Sequence, residues 1–411
     1  GLAHRLREAG VQAVAGVFLH AFRNDAHERA VKATLTEELP EITVCTSFEV
    51  MPQIGEYERS STAVANAYVQ PIFRNYVRGI VDGLKARDLP EDLYLMLADG
   101  GTVHHETAVE YPIRLVQSGP AGGAQAAAVH GRLAGAKNVL CFDMGGTTAK
   151  ACLIQDGEPL RTDRFEVARV FRFAKGSGLP LQVPVIDMIE IGAGGGSIAQ
   201  VDSLGLPQVG PESASSKPGP ACYGFGGEHP TVTDSDLVLG YLAADSFLGG
   251  DMALDKAAAE AAIDRHLARP LGISVVEAAW GVHETVNESM AQAAMIHALE
   301  SGRKVQDFAL LAIGGAGPVH ACNLARRMGV KRVICPLGAG VASAFGFLAS
   351  PTSFEFVRAA MQPLEALDLA AIAGMVAGLE ANAAGLIARA GVEPSAATTS
   401  VSALMRYAGQ G

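Results

Sequence analysis

The segment Phe142-Asp143-Met144-Gly145-Gly146-Thr147-Thr148 lies between two apolar runs, Val139 to Phe142 and Ala149 to Ile154. Paired glycines let a backbone approach phosphate oxygens and present N–H groups to them, and the Thr147 and Thr148 hydroxyls donate to the same oxygens. A carboxylate at the end of a hydrophobic strand, here Asp143, suits Mg²⁺, which takes one or two carboxylates and keeps waters. An ordinary β-hairpin with an Asp-x-Gly-Gly turn satisfies the same letters. A second glycine cluster, Gly314-Gly315-Ala316-Gly317-Pro318, separates the apolar run Phe308 to Ile313 from a helical pattern containing His320 and Leu324. Glycines at such a switch permit a flat ring such as adenine to lie against backbone, and a helix N-terminus offers N–H groups to an anion. A tight strand-to-helix turn is the plain alternative, but both loops in this order, separated by helices, are more specific than either.

Other residues have the right chemistry with weaker patterning. Asp187 and Glu190 precede Gly192 to Ser197, yet a regular strand points them to opposite faces. The spacing Gly194-x-Gly196-x-x-Ala199 meets the loose dinucleotide fingerprint, but residues 200 to 220 hold too many glycines and prolines for a helix to start and cap a pyrophosphate. Asp234, within Thr231-Val232-Thr233-Asp234-Ser235-Asp236, either reaches a cleft or caps the helix that begins near Asp236. His104, His105 and Glu106 carry metal-type side chains, although neighbours in a strand point apart. His283 and His297, fourteen residues apart, share a helix face.

The elements that must position these groups alternate. Helical patterns at Gly1 to Ala9, Ala26 to Leu39, Tyr68 to Ala86 and Ala121 to Gly131 interleave with strand-like runs at 11–19, 42–46, 93–97 and 138–154, a parallel α/β signature. Residues 180–230 read as an irregular loop-rich insertion, and 255–303 as helical. At 411 residues the chain divides into more than one domain. Almost half of it is apolar, 18% is charged and 47 residues are glycine, the profile of a turn-rich enzyme. A net charge of −11 with no basic cluster argues against nucleic acid. Six cysteines without a Cys-x-x-Cys pair point to a reducing compartment. No uninterrupted apolar stretch reaches the roughly 20 residues a bilayer needs, and Glu380 and Asn382 interrupt the run from Leu367 to Ala390, so no membrane association is expected.

Taken together, Ser118-Gly-Pro-Ala-Gly-Gly123, Phe142 to Thr148, Glu190 to Ala199, Val209 to Ser213, Pro218 to Gly224, Pro230 to Asp234 and Gly314-Gly-Ala-Gly-Pro-Val-His-Ala321 resemble the hydantoinase A/oxoprolinase family in wording and order, as do Glu56 to Arg59 and Arg406 to Gly411. The resemblance implies an α/β fold of the actin and sugar-kinase ATPase type, with ribonuclease-H-like lobes of which the first is incomplete. It implies a division into 1–55 (the last part of an N-terminal domain), 56–352 (the core with the nucleotide loops) and 353–411 (the start of a C-terminal domain). Family members begin with another Asp-x-Gly-Gly-Thr loop and a histidine-containing Gly-Thr-Thr segment, neither of which is present, so an internal piece is expected.

The implied cofactors are ATP and Mg²⁺. The implied reaction is attack of a substrate amide oxygen on the γ-phosphate, followed by hydrolysis of a small cyclic amide, with Asp143, Thr147 and Asp234 catalytic and Asp143 on the metal. Gly145, Gly146, Thr147, Thr148, Gly314, Gly315, Ala316 and Gly317 would hold the nucleotide. Carboxylase relatives act on ketones, and an actin- or chaperone-like ATPase module is the non-enzymatic alternative. A B-type subunit or fused domain, an oligomeric state and a cytoplasmic location complete what the resemblance implies.

Overall fold

A computed structural model describes residues 1–167 and 176–407, and the chain divides into two compact units. One unit comprises Gly1–Ser118, Thr162–Val185 and Ser350–Gly411; the other comprises Gly119–Arg161 and Ile186–Ala349. The chain passes between them after residues 118, 161, 185 and 349.

The second unit carries the glycine loops. Its elements, in chain order, are α1 (Ser118–Leu133), β1 (Val139–Met144), β2 (Ala149–Gln155), β3 (Met188–Ile191), α2 (Val232–Val238), α3 (Val275–Glu300), β4 (Ala309–Ile313), α4 (Gly317–Met328) and β5 (Val333–Ile334). The sheet order is β3-β2-β1-β4-β5, with Glu158–Pro159 added beside β2. β1, β4 and β5 are parallel; β2 is antiparallel to β1 and β3 antiparallel to β2. An order 3-2-1-4-5 with only the second strand reversed is the ribonuclease-H-like arrangement that the family resemblance implies.

β1 and β4 are nearly continuous apolar runs because both faces of the central sheet are covered. Leu140, Phe142, Leu310 and Ala312 pack with Val282, Val286 and Met290 of α3 and Leu324 of α4. α1 reaches the sheet through glycines: a Cβ at Gly131 would lie 2.7 Å from Val139 Cγ2. The stretch expected to be irregular, 180–230, holds four strands, Leu179–Ile186, Met188–Ile191, Ser197–Val201 and Pro207–Ser213, joined by loops and turns. The excursion 162–185 leaves and re-enters this unit at one place, where Asp187 N donates to Leu160 O at 2.8 Å.

In the first unit, strands Ala13–Gly16 and Thr43–Thr46 pair in parallel across the helix Ala26–Glu38. The helix expected from Tyr68 begins at Glu56 and runs thirty residues to Lys85, through Pro71. Arg59 is fully buried: its Nε donates to Ser47 Oγ at 3.0 Å, Nη2 donates to Phe18 O at 2.9 Å, and Glu56 pairs with it. Such a guanidinium tolerates burial because its donors are taken. Glu56 and Arg59 are thus framework residues here. The Leu369–Arg389 helix is long and apolar enough, by length and mean hydropathy, to cross a membrane. It carries Glu380 within the span, an expensive group in hydrocarbon, and Tyr94 Oη donates to Ala390 O at its C-terminal end.

Candidate functional site

In the β1–β2 hairpin, Asp143 lies directly opposite Lys150, and Lys150 directly opposite Glu190 of β3. Opposed residues share a face, so an acid, a base and an acid form a row across three strands. Lys150 Nζ lies 3.3 Å from Glu190 Oε1 and donates to Thr148 Oγ1 at 3.0 Å. Burial pushes the Asp143 carboxyl above the usual carboxylate range, and Lys150 partly counters it. The carboxylate is closely walled: a Cβ at Gly123 of α1 would come within 3.1 Å of Oδ2, and one at Gly314 within 2.5 Å of Oδ1. At Gly314 a side chain has no room, since its Cβ would also lie 2.3 Å from Met144 O, whereas at Gly123 the fit is tight but against side-chain atoms only. Lys150 is the site residue that motif reading passed over; the register of the hairpin is what sets it opposite Asp143.

Three glycine loops meet at the end of β1. Gly145 N donates to Thr148 O at 3.0 Å, closing the hairpin and leaving Gly146 and Thr147 exposed at its tip. The Gly192–Ser197 loop lies against this turn: Gly195 N donates to Gly145 O at 3.0 Å and Gly196 N to Gly146 O at 2.6 Å. A Cβ at Gly194 would lie 2.6 Å from the Thr147 carbonyl carbon, so backbone packs on backbone. The third loop, Gly314 to Gly317, is tied to the hairpin by Ala316 N donating to Met144 O at 3.0 Å. Gly314 adopts φ +82°, which glycine alone takes readily. Gly315 is exposed, and a Cβ there would meet nothing within 4 Å. The predicted loops therefore come together with Asp143, joined by a third loop that spacing alone did not connect to them.

Asp234 is not among the groups at this surface. It is fully buried, and its carboxylate accepts from Ala221 N (3.2 Å), Cys222 N (2.8 Å), Thr231 N (2.8 Å) and Thr231 Oγ1 (2.8 Å). Thr231 Oγ1 in turn accepts from Asp234 N, a capping box at the start of α2. Neither expectation for Asp234 describes this placement: the helix starts at Val232 instead of near Asp236, Thr231 is its N-cap, and Asp234 is the third helical residue, whose carboxylate closes the capping box. Its neighbour Thr233 is the one that touches the loops, donating through N (2.7 Å) and Oγ1 (2.8 Å) to Gly195 O.

His104 ends a strand and His105 begins a helix, which brings their rings to 4.2 Å instead of pointing them apart. His283 and His297 are both buried on α3, and His283 contacts Asp236 and His320.

A sheet of order 3-2-1-4-5 with its second strand reversed, whose first hairpin carries an acidic strand end and a glycine-threonine turn and whose fourth strand leads through a glycine loop into a helix, is a ribonuclease-H-like α/β lobe. The model of the family described as hydantoinase/oxoprolinase matches residues 59–355, and the chain belongs to that family. The chain is 40% identical over 349 residues to caprolactamase subunit alpha of Pseudomonas jessenii, covering 85% of this chain and 49% of that one. It is 31% identical over 360 residues to 5-oxoprolinase 1 of Arabidopsis thaliana, covering 83% of this chain and 27% of that one. The solved structure of ATP-dependent caprolactamase from Pseudomonas jessenii superposes with a TM-score of 0.76 at 35% identity, over 95% of this chain and 56% of that chain. Nucleotide-free acetone carboxylase superposes at 0.74 and 30% identity, over 94% and 54%. The chain spans about half the length of the caprolactamase subunit and a smaller share of 5-oxoprolinase.

Proposed function

We propose that this chain forms part of the nucleotide site of an enzyme that uses ATP and Mg²⁺ to activate the carbonyl of a small cyclic amide for hydrolysis. The observation that carries the reading is the placement of Asp143: a carboxylate at the end of the central strand, walled by Gly123 and Gly314, opposite Lys150, beneath three converging glycine loops. A partly buried carboxylate whose charge is under-compensated suits a divalent cation. Backbone with open space above it at Gly146 and Gly315 suits phosphate and purine.

In this reading Asp143 holds Mg²⁺, directly or through water, and Thr147 and Thr148 hydroxyls with the N–H groups at the hairpin tip hold phosphate oxygens. Gly145 shapes the turn, because its N–H is already used. Gly314, Gly315, Ala316 and Gly317 receive the adenosine, and Lys150 offsets the negative charge gathered beside Asp143. Bound ATP supplies the phosphoryl group that makes the amide carbonyl a good electrophile. The residues contribute positioning and charge stabilisation, the main terms in phosphoryl transfer. Asp234 has no part in the chemistry, since its lone pairs are committed to the cap.

The named activities of caprolactamase and 5-oxoprolinase support a cyclic amide. The acetone carboxylase likeness supports a second reading, ketone activation for carboxylation. Relatives named as subunits support a B-type partner, separate or fused, and ATP use together with cysteines that are free in the structure supports a cytoplasmic location. The test is phosphate release by the full-length protein with its partner, offered 5-oxoproline, caprolactam, hydantoin, or acetone with bicarbonate. Release dependent on a lactam, with ring-opened product, is expected; release only with acetone and bicarbonate selects the carboxylase reading, and none with any carbonyl compound rejects both.

A further inference from the structure

The nucleotide reading gives the Gly192–Ser197 loop no task, although its backbone is bonded to the Gly145–Thr148 turn at two successive peptides. Gly195 N donates to Gly145 O at 3.0 Å and Gly196 N to Gly146 O at 2.6 Å. On the loop side Gly194, Gly195 and Gly196 are buried; on the turn side Gly146 and Thr147 are exposed. A Cβ at Gly196 would lie 3.0 Å from Gly146 O, so glycine is what admits the short contact.

A trans peptide points its C=O and its N–H in opposite directions, and the cis bonds among the described residues, Gly210–Pro211 and Lys217–Pro218, lie outside this region. The carbonyl of Gly145 shares a peptide with Gly146 N–H, and the carbonyl of Gly146 shares one with Thr147 N–H. With both carbonyls held toward the loop, both N–H groups face away from it. That is the open side of the turn, where a Cβ at Gly146 would meet nothing within 4 Å. Neither N–H has a backbone acceptor among the described residues. Successive N–H groups turned the same way make an anion-binding concavity, so the loop fixes the direction of the donors that the turn offers.

The same rule carries one peptide further back. Gly195 O shares a peptide with Gly196 N–H, and it accepts two hydrogen bonds from Thr233, from N at 2.7 Å and from Oγ1 at 2.8 Å. Thr233 is buried and is the second residue of α2, so its N–H is one that the helix leaves without an internal acceptor. Thr233 therefore holds the peptide whose N–H holds the peptide that presents Thr147 N–H. We propose that Thr233 is a positioning residue of the phosphate turn: through the Gly195–Gly196 and Gly146–Thr147 peptides it aims Thr147 N–H at the bound anion. The inference rests on the nucleotide reading of the turn. It makes the phosphate chain, and not the purine, the part of the ligand that feels Thr233.

The experiment uses the full-length protein and two variants, each checked for folding by far-ultraviolet circular dichroism. Thr233→Val keeps the shape and loses the Oγ1 donor, and its methyl group, set against Gly195 O, turns that peptide away. Thr233→Ser keeps the donor. Calorimetry with ATP·Mg²⁺ is expected to show Kd raised about three- to tenfold in Thr233→Val, the scale of one buried hydrogen bond, and restored in Thr233→Ser. Adenosine, which has no phosphate, is expected to bind Thr233→Val and wild type alike in ligand-observed nuclear magnetic resonance. Where adenosine binds too weakly to measure, the serine variant decides.

Unchanged ATP affinity in Thr233→Val, with only the melting temperature lowered, reduces Thr233 to packing and overturns the proposal. So does an equal loss of adenosine affinity, which means the whole site has loosened, or a serine variant as weak as the valine one. If Thr233→Val does not fold, Thr233→Ala, which removes the donor without adding bulk, decides by the same comparison. A wild type that binds no ATP rejects the nucleotide reading, and the positioning role with it; a wild type that binds ATP, with variants that bind it equally well, rejects the positioning role alone.

Discussion

Gly314 and Gly315 are adjacent, yet replacing them should break different things. A Cβ on Gly314 would sit 2.3 Å from Met144 O and 2.5 Å from Asp143 Oδ1, at φ +82°. The nearest atom is backbone, so it cannot swing aside as a flexible side chain would. Left-handed backbone costs an alanine about 1–2 kcal/mol, and forcing atoms into a packed site typically costs a further ~1–3 kcal/mol. Gly314→Ala is therefore expected to lose about 2–5 kcal/mol, or roughly 5–15 °C in melting temperature for a unit of this size, and to displace the Asp143 carboxylate as well. At Gly315 a Cβ meets no atom, so Gly315→Val should melt within about 2 °C of wild type, as surface changes usually do. If a purine lies on that backbone, the valine occupies its space and ATP affinity falls by about tenfold or more, some 1.4 kcal/mol. Differential scanning fluorimetry without nucleotide and calorimetry with ATP·Mg²⁺ separate the two effects. A Gly314→Ala protein as stable as wild type would falsify the packing argument, and a Gly315→Val protein with wild-type affinity would remove this turn from the nucleotide site.

Asp143→Asn is expected to fold normally and to lower ATP turnover at least ~100-fold, measured by phosphate release, because it removes the proposed metal ligand. The same variant reports on the raised Asp143 pKa. A group that holds its proton more tightly when folded supports stability at low pH and loses that contribution as pH rises through the folded value, so without Mg²⁺ the Asn variant should outmelt wild type at pH 7 and match it near pH 3. Asp236 has the opposite sign: its lowered pKa adds stability above the ordinary carboxylate value that disappears on acidification, and Asp236→Asn should flatten the acid limb of the stability curve. Asp234→Ala strands three backbone N–H groups and should cost about 3–5 kcal/mol in chemical denaturation, with turnover per folded molecule retained; a stable but inactive variant would return Asp234 to the chemistry.

The hairpin around Asp143 and the β4–α4 turn were legible because long apolar runs on both sides leave few alternatives for the glycines between them. Parallel pairing was expected from the alternation of helical and strand-like runs, and Ala13–Gly16 beside Thr43–Thr46 follows that expectation. Of the β structure in 180–230, the strand carrying Glu190 was read, but the pairing of Ser197–Val201 with Pro207–Ser213 was not. Short strands rich in Gly and Pro carry no strong alternation, and their pairing, such as Ala199 with Val209, is set by neighbours rather than by local propensity. The Gly192–Ser197 loop was visible as glycine-rich, but its partner is the Gly145–Thr148 backbone, and backbone-to-backbone contacts leave no side-chain signature. Asp234 shows the same limit: the helix was placed near Asp236, and only the fold reveals that it starts at Val232 under a Thr231 cap and that Ala221 and Cys222 donate to the Asp234 carboxylate. Lys150 and Asp143 lie seven residues apart, and only the register of the hairpin turns that separation into contact across the strands.

The excursion 162–185 bears on how this protein can be dissected. Any continuous fragment that keeps β1 and β3 also carries Phe165, Val167, Leu181, Val183 and Val185, whose core neighbours Cys45, Val50, Ala67, Ala98 and Ile113 belong to the first unit, so simple truncation uncovers these apolar side chains. The ends of the excursion are already joined across a 2.8 Å hydrogen bond between Leu160 and Asp187. A gene in which a few glycines replace 162–185 would splice the second unit into one uninterrupted polypeptide, giving nuclear magnetic resonance and display methods a smaller object that retains all three glycine loops.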